Sequence, residues 1–279
     1  MNPETIETAA AEFSRSSPEN FVPENKALLP HVSGMRIYDP PIFGYADAEN
    51  EYLNTLRLYP EAGISPVPPK TWLESARTVI SFFLPFTEVV RTGNRGGDYP
   101  SVEWLHGRIE GQIFCIALCV YLSDMIKNAG FDAVIPSMDP NVFTKSVSPE
   151  TGEHVYNCRW SERHVAFACG LGTFSLSKGL ITRKGVAGRF GSLVTSVELP
   201  ATAPVYSELY EYCKKCGACA RNCPAGAIDP ETGKDDTACS RFLDNVRAAR
   251  KPYYGCGKCQ TSVPCEARIP AANFGAKIL

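Results

Sequence analysis

The stretch Cys213-Lys-Lys-Cys216-Gly-Ala-Cys219-Ala-Arg-Asn-Cys223-Pro224 decides how the last part of this 279-residue chain folds. Four more cysteines follow it, at Cys239, Cys256, Cys259 and Cys265. Thiols at such short intervals are typical of metal ligands, because several of them can reach one centre from a single loop. The sequence therefore predicts a metal-binding tail.

The spacing Cys-x2-Cys-x2-Cys-x3-Cys-Pro is that of bacterial ferredoxins with two [4Fe–4S] clusters. In those proteins the Cys before Pro ligates the other cluster, so the two ligand sets cross over. We therefore predict two [4Fe–4S] clusters. The ligands of the first are Cys213, Cys216, Cys219 and Cys265, and those of the second are Cys223, Cys239, Cys256 and Cys259.

Disulfides and structural zinc are the alternative uses for these thiols. Disulfides are disfavoured because a chain of this length can build its own core, and residues 1–17 are polar and acidic, unlike a secretory signal. Zinc sites use paired Cys-x2-Cys knuckles separated by a longer loop, whereas a triple leaves one ligand over. Zinc is the stronger of the two alternatives.

Composition and charge limit the class of protein. The net charge is −2, and 44% of the residues are hydrophobic. No large basic face for nucleic acid is evident. The longest apolar runs, residues 79–85 and 114–122, fall short of the ~20 residues that span a bilayer. We predict a cytoplasmic protein that binds no membrane.

The pattern of strands and helices predicts an α/β (α+β) fold in three parts. Residues 1–65 form an N-terminal arm and the start of the core, residues 66–200 a cofactor-type α/β domain, and residues 201–279 a ferredoxin-like domain. Within the first part, residues 1–30 are expected to lie over the surface. Predicted strands cover residues 78–85, 131–136, 179–183 and 192–199.

Two helices are predicted between these strands, over residues 101–128 and 160–171. A glycine-rich turn over residues 185–191 is expected to join the last two strands. On the longer helix, apolar residues repeat at steps of three and four and are expected to form one buried face. They are Ile109, Ile113, Ile116 and Val120.

Several motifs stand in a characteristic order. They are Ala168-Cys-Gly-Leu-Gly172, Gly179-Leu-Ile-Thr-Arg183, Arg189-Phe-Gly-Ser-Leu-Val-Thr195 and Tyr254-Gly-Cys256-Gly-Lys-Cys259-Gln260. In this order and spacing the chain resembles the epoxyqueuosine reductase and reductive dehalogenase superfamily over residues 66–275.

The resemblance implies a nitroreductase-like sheet domain that holds a base-off corrinoid (cobalamin), followed by the two-cluster tail. Electrons would come from an external low-potential donor of ferredoxin or flavodoxin type, and would pass through both clusters to the cobalt. A small-molecule or protein substrate would be reduced. Residues expected to contact the cofactor are Gly170, Gly172, Gly188 and Gly191.

The candidates for proton delivery are Tyr156, His164, Arg163 and Glu162, because reducing a substrate by two electrons generally consumes protons. Tyr156 and His164 are the two predicted to be catalytic. Both residues could instead be packed or capping groups. Residues 156–164 contain no Asp, the proton donor that epoxyqueuosine reductases carry upstream of Gly-Leu-Gly. The alternative functions are a corrinoid-free electron-transfer or activator protein, an epoxyqueuosine-reductase-like tRNA modification enzyme, and a flavin-dependent reductase.

Overall fold

The computed structural model describes residues 1–55, 66–147, 149–150 and 154–271. Its strands are β1 (Ile42–Asp47), β2 (Thr78–Pro85), β3 (Ala133–Val134), β4 (Phe143–Val147), β5 (His154–Cys158), β6 (Gly172–Phe174), β7 (Leu180–Thr182), β8 (Gly188–Thr195), β9 (Ile228–Asp229) and β10 (Gly233–Lys234). The central sheet is antiparallel, in the order β1-β2-β8-β3. The pairs β4–β5, β6–β7 and β9–β10 form three small antiparallel sheets.

Helices pack on the central sheet and form part of the tail. They are α1 (Pro3–Ser16), α2 (Glu51–Thr55), α3 (Pro69–Trp72), α4 (Glu88–Gly93), α5 (Val102–Asn128), α6 (Glu162–Ala168), α7 (Ala218–Arg221) and α8 (Asp236–Arg250). Short 3₁₀ turns cover Pro18–Asn20, Glu24–Lys26, Pro30–Val32, Pro136–Met138 and Lys258–Gln260. This mixed fold of helices and sheets confirms the predicted fold class.

Strand β2 is the centre of the core, and its predicted bounds of 78–85 are confirmed. Every one of its residues is buried. Ile80 and Phe82 pack in the cluster that contains the buried side of α5, whereas Val79 and Phe83 pack in clusters that include α6. Helices thus cover both faces of the sheet, which is why β2 reads as a continuous apolar run.

Helix α5 begins at the predicted place. The Ser101 hydroxyl accepts a hydrogen bond from the Trp104 amide at 3.2 Å and caps the helix. By length and a mean hydropathy of 1.6, α5 would be able to cross a membrane, but half of that apolar window is buried within the protein. The same composition serves a helix that packs in a core.

The predicted buried face of α5 is wrong. Ile113, Ile116 and Val120 are 46%, 38% and 36% exposed, while Phe114 and Leu118 are fully buried. The helix is apolar over most of its circumference, so the spacing of its apolar residues does not select one face. Packing against the sheet buries the face that carries Phe114 and Leu118 instead.

The predicted surface arm is also wrong over its first residues, which form α1. Asn2 caps this helix by accepting a hydrogen bond from the Thr5 amide at 2.9 Å. Ile6 and Ala10 are fully buried in the main core cluster. Strand β1 follows within residues 1–65 and pairs with β2, so this region contributes to the core. The division into three parts stays a prediction.

The predicted glycine-rich turn is shorter than expected, because β8 already begins at Gly188. Gly191 lies opposite Phe82 in the sheet, and a Cβ there would stand 2.4 Å from the Phe82 ring. Glycine at this position makes room for an aromatic ring and does not mark a turn. The other predicted elements occur in shorter form, as β3, β7 and α6.

Candidate metal centre

The eight cysteines of the tail line two adjoining pockets. One pocket, of about 20 Å³, is lined by Cys213, Cys216, Cys219, Cys259 and Cys265. The other, of about 190 Å³, is lined by Cys223, Cys239, Cys256 and Cys259. We call them the first and the second cysteine pocket. Cys259 lines both pockets, and the crossed ligand sets stay a prediction.

Burial and mutual proximity of the thiols shape their acidity. Burial, followed by the neighbouring Cys213, raises the pKa of Cys265 to about 12. Burial, followed by the neighbouring Cys259, raises the pKa of Cys256 to about 12. Four thiolates cannot share such a pocket without a positive centre, and iron would supply the charge that displaces their protons.

The two loops that carry the cysteines share one turn geometry. Gly217 lies between Cys216 and Cys219 with φ of 70°, and Gly257 lies between Cys256 and Cys259 with φ of 66°. This left-handed backbone favours glycine and turns each loop around its pocket.

The chemistry of the donors fits iron–sulfur clusters. The first pocket is lined by five cysteines and the second by four, with Cys259 common to both, and among the described residues neither lining contains His, Asp or Glu. Thiolate sets of this kind select Fe–S clusters or zinc. No three described His, Cys, Asp or Glu side chains converge closely enough to hold a single metal ion. The thiols are spaced around two cavities and do not converge on the position of a single metal ion.

Hydrogen bonds attach the second cysteine loop to the turn between α4 and α5. The ammonium of Lys258, which is 4% exposed, donates to the carbonyls of Asn94 at 3.0 Å and Gly96 at 2.6 Å. The Asn94 amide group donates to the carbonyl of Cys256 at 3.0 Å. The position of this loop therefore depends on the sheet domain.

A second attachment holds the last ligand. The Val186 amide donates to the carbonyl of Cys265 at 2.9 Å. The next residue, Glu266, forms ion pairs with Arg95 at 2.6 Å and Arg91 at 3.3 Å. Burial alone would raise the pKa of Glu266, but hydrogen bonds from Arg95 and from the Ser262 amide hold it below its usual value. Charge-assisted bonds of this kind are the stronger ones.

The second pocket is bounded on its other side by the sheet domain. Phe86, Trp104, Arg108, Gly188 and Arg189 line that side. Burial, together with the nearby charge of Arg189, lowers the pKa of Arg108 to about 10. The sheet domain therefore borders both pockets, the second through these residues and the first through Ser175, Ser177 and Ile181.

Comparison with known proteins bears on both the cysteine-rich tail and the fold of the chain. A family model described as a 4Fe-4S binding domain matches residues 209–229. The structure of epoxyqueuosine reductase from Streptococcus thermophilus is similar with a TM-score of 0.51 at 18% identity, over 81% of this chain and 62% of that one. A catabolic reductive dehalogenase in complex with 3-bromo-4-hydroxybenzoic acid is similar with a TM-score of 0.53 at 15% identity, over 82% and 30%.

This protein has the fold of the epoxyqueuosine reductases and reductive dehalogenases. A further dehalogenase structure, whose title names B12-dependent dehalogenation, is similar with a TM-score of 0.52 at 14% identity, over 84% of this chain and 31% of that one. At these identities the likeness shows the fold alone.

Sequence similarity reaches the dehalogenases over a shorter stretch. A trichloroethene reductive dehalogenase of Dehalococcoides mccartyi is 31% identical over 103 residues, which are 36% of this chain and 18% of the dehalogenase. The chain spans less than two thirds of the length of each of these relatives.

A corrinoid does not fit the second pocket of this reductase-fold protein as it stands. Its volume of about 190 Å³ is below the roughly 300–1,000 Å³ of pockets that enclose drug-sized ligands, and a corrinoid is larger than those ligands. A corrinoid would therefore need more room than the second pocket offers.

The four glycines predicted to contact the cofactor all lie against neighbouring residues of the chain. A Cβ at Gly188 would stand 2.2 Å from the Leu84 carbonyl oxygen, and one at Gly172 would stand 1.9 Å from that of Ile181. The corresponding neighbours are the Phe82 ring for Gly191 and Thr202 for Gly170. Packing explains these glycines, and their role in cofactor binding stays a prediction.

His164, one of the two residues predicted to deliver protons, lines neither cysteine pocket. Tyr156 pairs with Lys145 in the β4–β5 hairpin, and its side chain lies outside the described part of the structure. His164 lies in α6, where its Nδ1 is 2.7 Å from the Ser161 hydroxyl. Burial, and then the charge of Arg163, lowers the pKa of His164 to about 4, so its ring is neutral near pH 7. Their catalytic roles stay predictions.

Glu162 is the titratable group that best suits proton transfer in this region. Its Oε2 accepts a hydrogen bond from the Ser192 hydroxyl at 2.7 Å, and that hydroxyl in turn accepts one from the Trp160 indole at 2.8 Å. Its Oε1 is buried without a hydrogen-bond partner among the described residues. Burial raises the pKa of Glu162 to about 7, close to the value that suits a general acid or base. Sequence alone offers no signal for this, because it depends on burial.

This environment predicts that stability falls as the pH rises. The pKa of this carboxyl is near 4.5 in the unfolded state and about 7 in the folded state. Between these two pH values the folded state binds more protons than the unfolded state, so the unfolding free energy falls as the pH rises and Glu162 ionises. The Glu162→Gln variant cannot ionise there. We expect the unfolding free energy of the variant minus that of the wild type to increase by about 1 kcal/mol between pH 6 and pH 8. Urea unfolding at both pH values measures it.

The matched control for this experiment is Glu12→Gln, which removes an exposed carboxylate. Its unfolding free energy relative to the wild type should be the same at both pH values. Parallel pH curves for Glu162→Gln and the wild type would contradict the raised pKa.

Proposed function

We propose that this protein is an iron–sulfur oxidoreductase that moves electrons one at a time through two [4Fe–4S] clusters in its tail toward the sheet domain. The observation that carries the proposal is the arrangement of eight cysteines around two adjoining pockets. The match of residues 209–229 to a 4Fe-4S binding domain supports it. Both sets border the sheet domain, which suits delivery of electrons to it.

Anaerobic reconstitution with iron and sulfide tests this proposal. We expect about eight iron atoms per chain, as two [4Fe–4S] clusters require, and electron paramagnetic resonance signals of two interacting clusters on reduction. About one tightly bound zinc per cysteine set, with no acid-labile sulfide, would establish the zinc alternative instead.

The acceptor that we infer for these electrons is a corrinoid, which would supply the reductive chemistry. Support comes from the fold shared with the dehalogenase structure whose title names B12-dependent dehalogenation. The volume of the second pocket stands against it, so binding would require a site elsewhere in the sheet domain or an opening of this one. Anaerobic titration of the cluster-loaded protein with cob(II)alamin, followed by electron paramagnetic resonance, tests whether a corrinoid binds. A protein-bound base-off cobalt signal would support binding, and its absence would contradict it.

The second candidate is a corrinoid-free carrier or activator that delivers low-potential electrons to a partner enzyme. The small second pocket and the packed glycines favour it. Turnover of an organic substrate by the isolated protein with an artificial donor would exclude it. Action on tRNA is a third candidate, suggested by the fold shared with an epoxyqueuosine reductase, and loss of epoxyqueuosine from a tRNA incubated with the reduced protein would establish it.

The electron source in either case is an external low-potential donor of ferredoxin or flavodoxin type, and the location that we infer is the cytoplasm. The substrate of the reductase candidate is a small molecule or a protein. These assignments rest on the resemblance to the reductases and on the composition of the chain.

A further inference from the structure

The second cysteine pocket carries an unusual number of positive charges. Its lining includes the cations Arg108, Arg189 and Lys234, of which Lys234 lies 3.8 Å from the Asp236 carboxylate. The first pocket has one cation, Lys214, and its other polar lining groups are Ser175 and Ser177. The two sets of four thiols therefore lie in different electrostatic surroundings.

The two arginines lack anionic partners within the described residues. Neither takes part in an ion pair there. The Nε of Arg189 is buried without a hydrogen-bond partner. Arg108 donates to the Tyr254 hydroxyl at 2.7 Å, and its guanidinium lies 4.5 Å from the centre of that ring. Neither contact neutralises a charge.

Arg108 and Arg189 are partly buried, and a partly buried cation without a counter-charge favours an anion beside it. A [4Fe–4S] cluster with four thiolates supplies one, since its net charge is about −2 when oxidised and about −3 after one-electron reduction. The surplus of positive charge favours the more negative, reduced state. The reduction potential of a cluster rises with such neighbours.

Resting on the proposed function, we propose that Arg108 and Arg189 raise the reduction potential of the cluster held by the second cysteine set above that of the first. An external low-potential donor of ferredoxin or flavodoxin type loses one electron, a [4Fe–4S]²⁺ cluster becomes [4Fe–4S]⁺, and no bond is made or broken. The difference in potential directs electrons to enter at the first set and to collect at the second, against the sheet domain.

A potentiometric titration of the loaded protein, followed by electron paramagnetic resonance, tests this assignment. In Arg189→Gln we expect the ratio of reduced to oxidised second cluster at a fixed potential to fall about tenfold. This corresponds to a decrease of about 59 mV in its one-electron reduction potential. The reduction potential of the first cluster should not change. Arg189→Lys keeps the charge and should restore most of the shift, which a purely structural role would not do.

Two further variants keep the test decisive. Arg108→Gln and Lys234→Gln remove the other cations and should move the same cluster in the same direction, so the result does not depend on one variant folding. The matched control Arg183→Gln removes an exposed cation and should leave both potentials unchanged.

The outcomes separate this inference from the function on which it rests. Protein that takes up about eight irons but shows equal shifts of both clusters, or none, in all three variants overturns the role of the cations and leaves the two-cluster proposal standing. Protein that assembles no pair of clusters overturns the proposed function itself, and this inference with it.

Discussion

The Cys265→Ser protein is expected to retain about half of the iron of the wild type after anaerobic reconstitution. Cys265 lines the first pocket together with the Cys213 triple, although it lies beyond Cys256 and Cys259 in the chain. A serine hydroxyl is a poor substitute for a thiolate on iron, so the first cluster should be lost or damaged. The second should remain and give the resonance of a single, magnetically isolated cluster.

The control for this substitution is Cys158→Ser. Cys158 lies in the sheet domain, where its thiol donates to the Trp160 carbonyl at 3.1 Å, a contact that a hydroxyl reproduces. Its iron content should match the wild type. Retention of both clusters by Cys265→Ser, or loss of the second with the first intact, would refute the crossed assignment.

The Gly257→Ala protein is expected to lose about 3 kcal/mol of unfolding free energy. Gly257 has φ of 66°, which costs any residue with a Cβ. A Cβ there would also stand 1.9 Å from two ring carbons of Trp104, a buried side chain between the second cysteine loop and the sheet domain. The loop between Cys256 and Cys259 would have to move away. The urea midpoint of the loaded protein, followed by its cluster absorbance, measures the loss.

Gly226→Ala separates strain from collision. Gly226 also lies in the left-handed region, with φ of 57°, but a Cβ there would meet nothing within 4 Å. We expect a loss of about 1 kcal/mol, from the backbone alone. Equal urea midpoints for the two variants would show that the Trp104 ring can move aside at no cost in free energy. The loop would then not be tightly packed against the sheet domain.

The parts of the fold that the sequence predicted are those where one local pattern has one physical solution. Residues 78–85 are apolar except for Thr78 and Ser81, and a strand covered on both faces suits them. That prediction needed only residues close together in the chain. The crossed ligand sets follow from the ferredoxin spacing pattern and join Cys213 to Cys265, which are far apart in the chain, so they stay a prediction.

The errors occur where distant residues decide. The exposed face of α5 could not be distinguished from the buried one, since Ile116 and Leu118 are equally apolar and only the sheet separates them. Gly191 was taken for part of a turn because its real neighbour, Phe82, lies more than a hundred residues earlier. The same limit applies to the candidate site, where the raised pKa of Glu162 and the unpaired Arg189 arise from packing between separate segments.

Hydrogen bonds join Lys258 to the Asn94 carbonyl, and the Val186 amide to the Cys265 carbonyl. They fix the positions of the segments around Cys256 and Cys265 relative to the sheet domain. A tail expressed without residues 1–200 would therefore lack the partners that position these two cysteines.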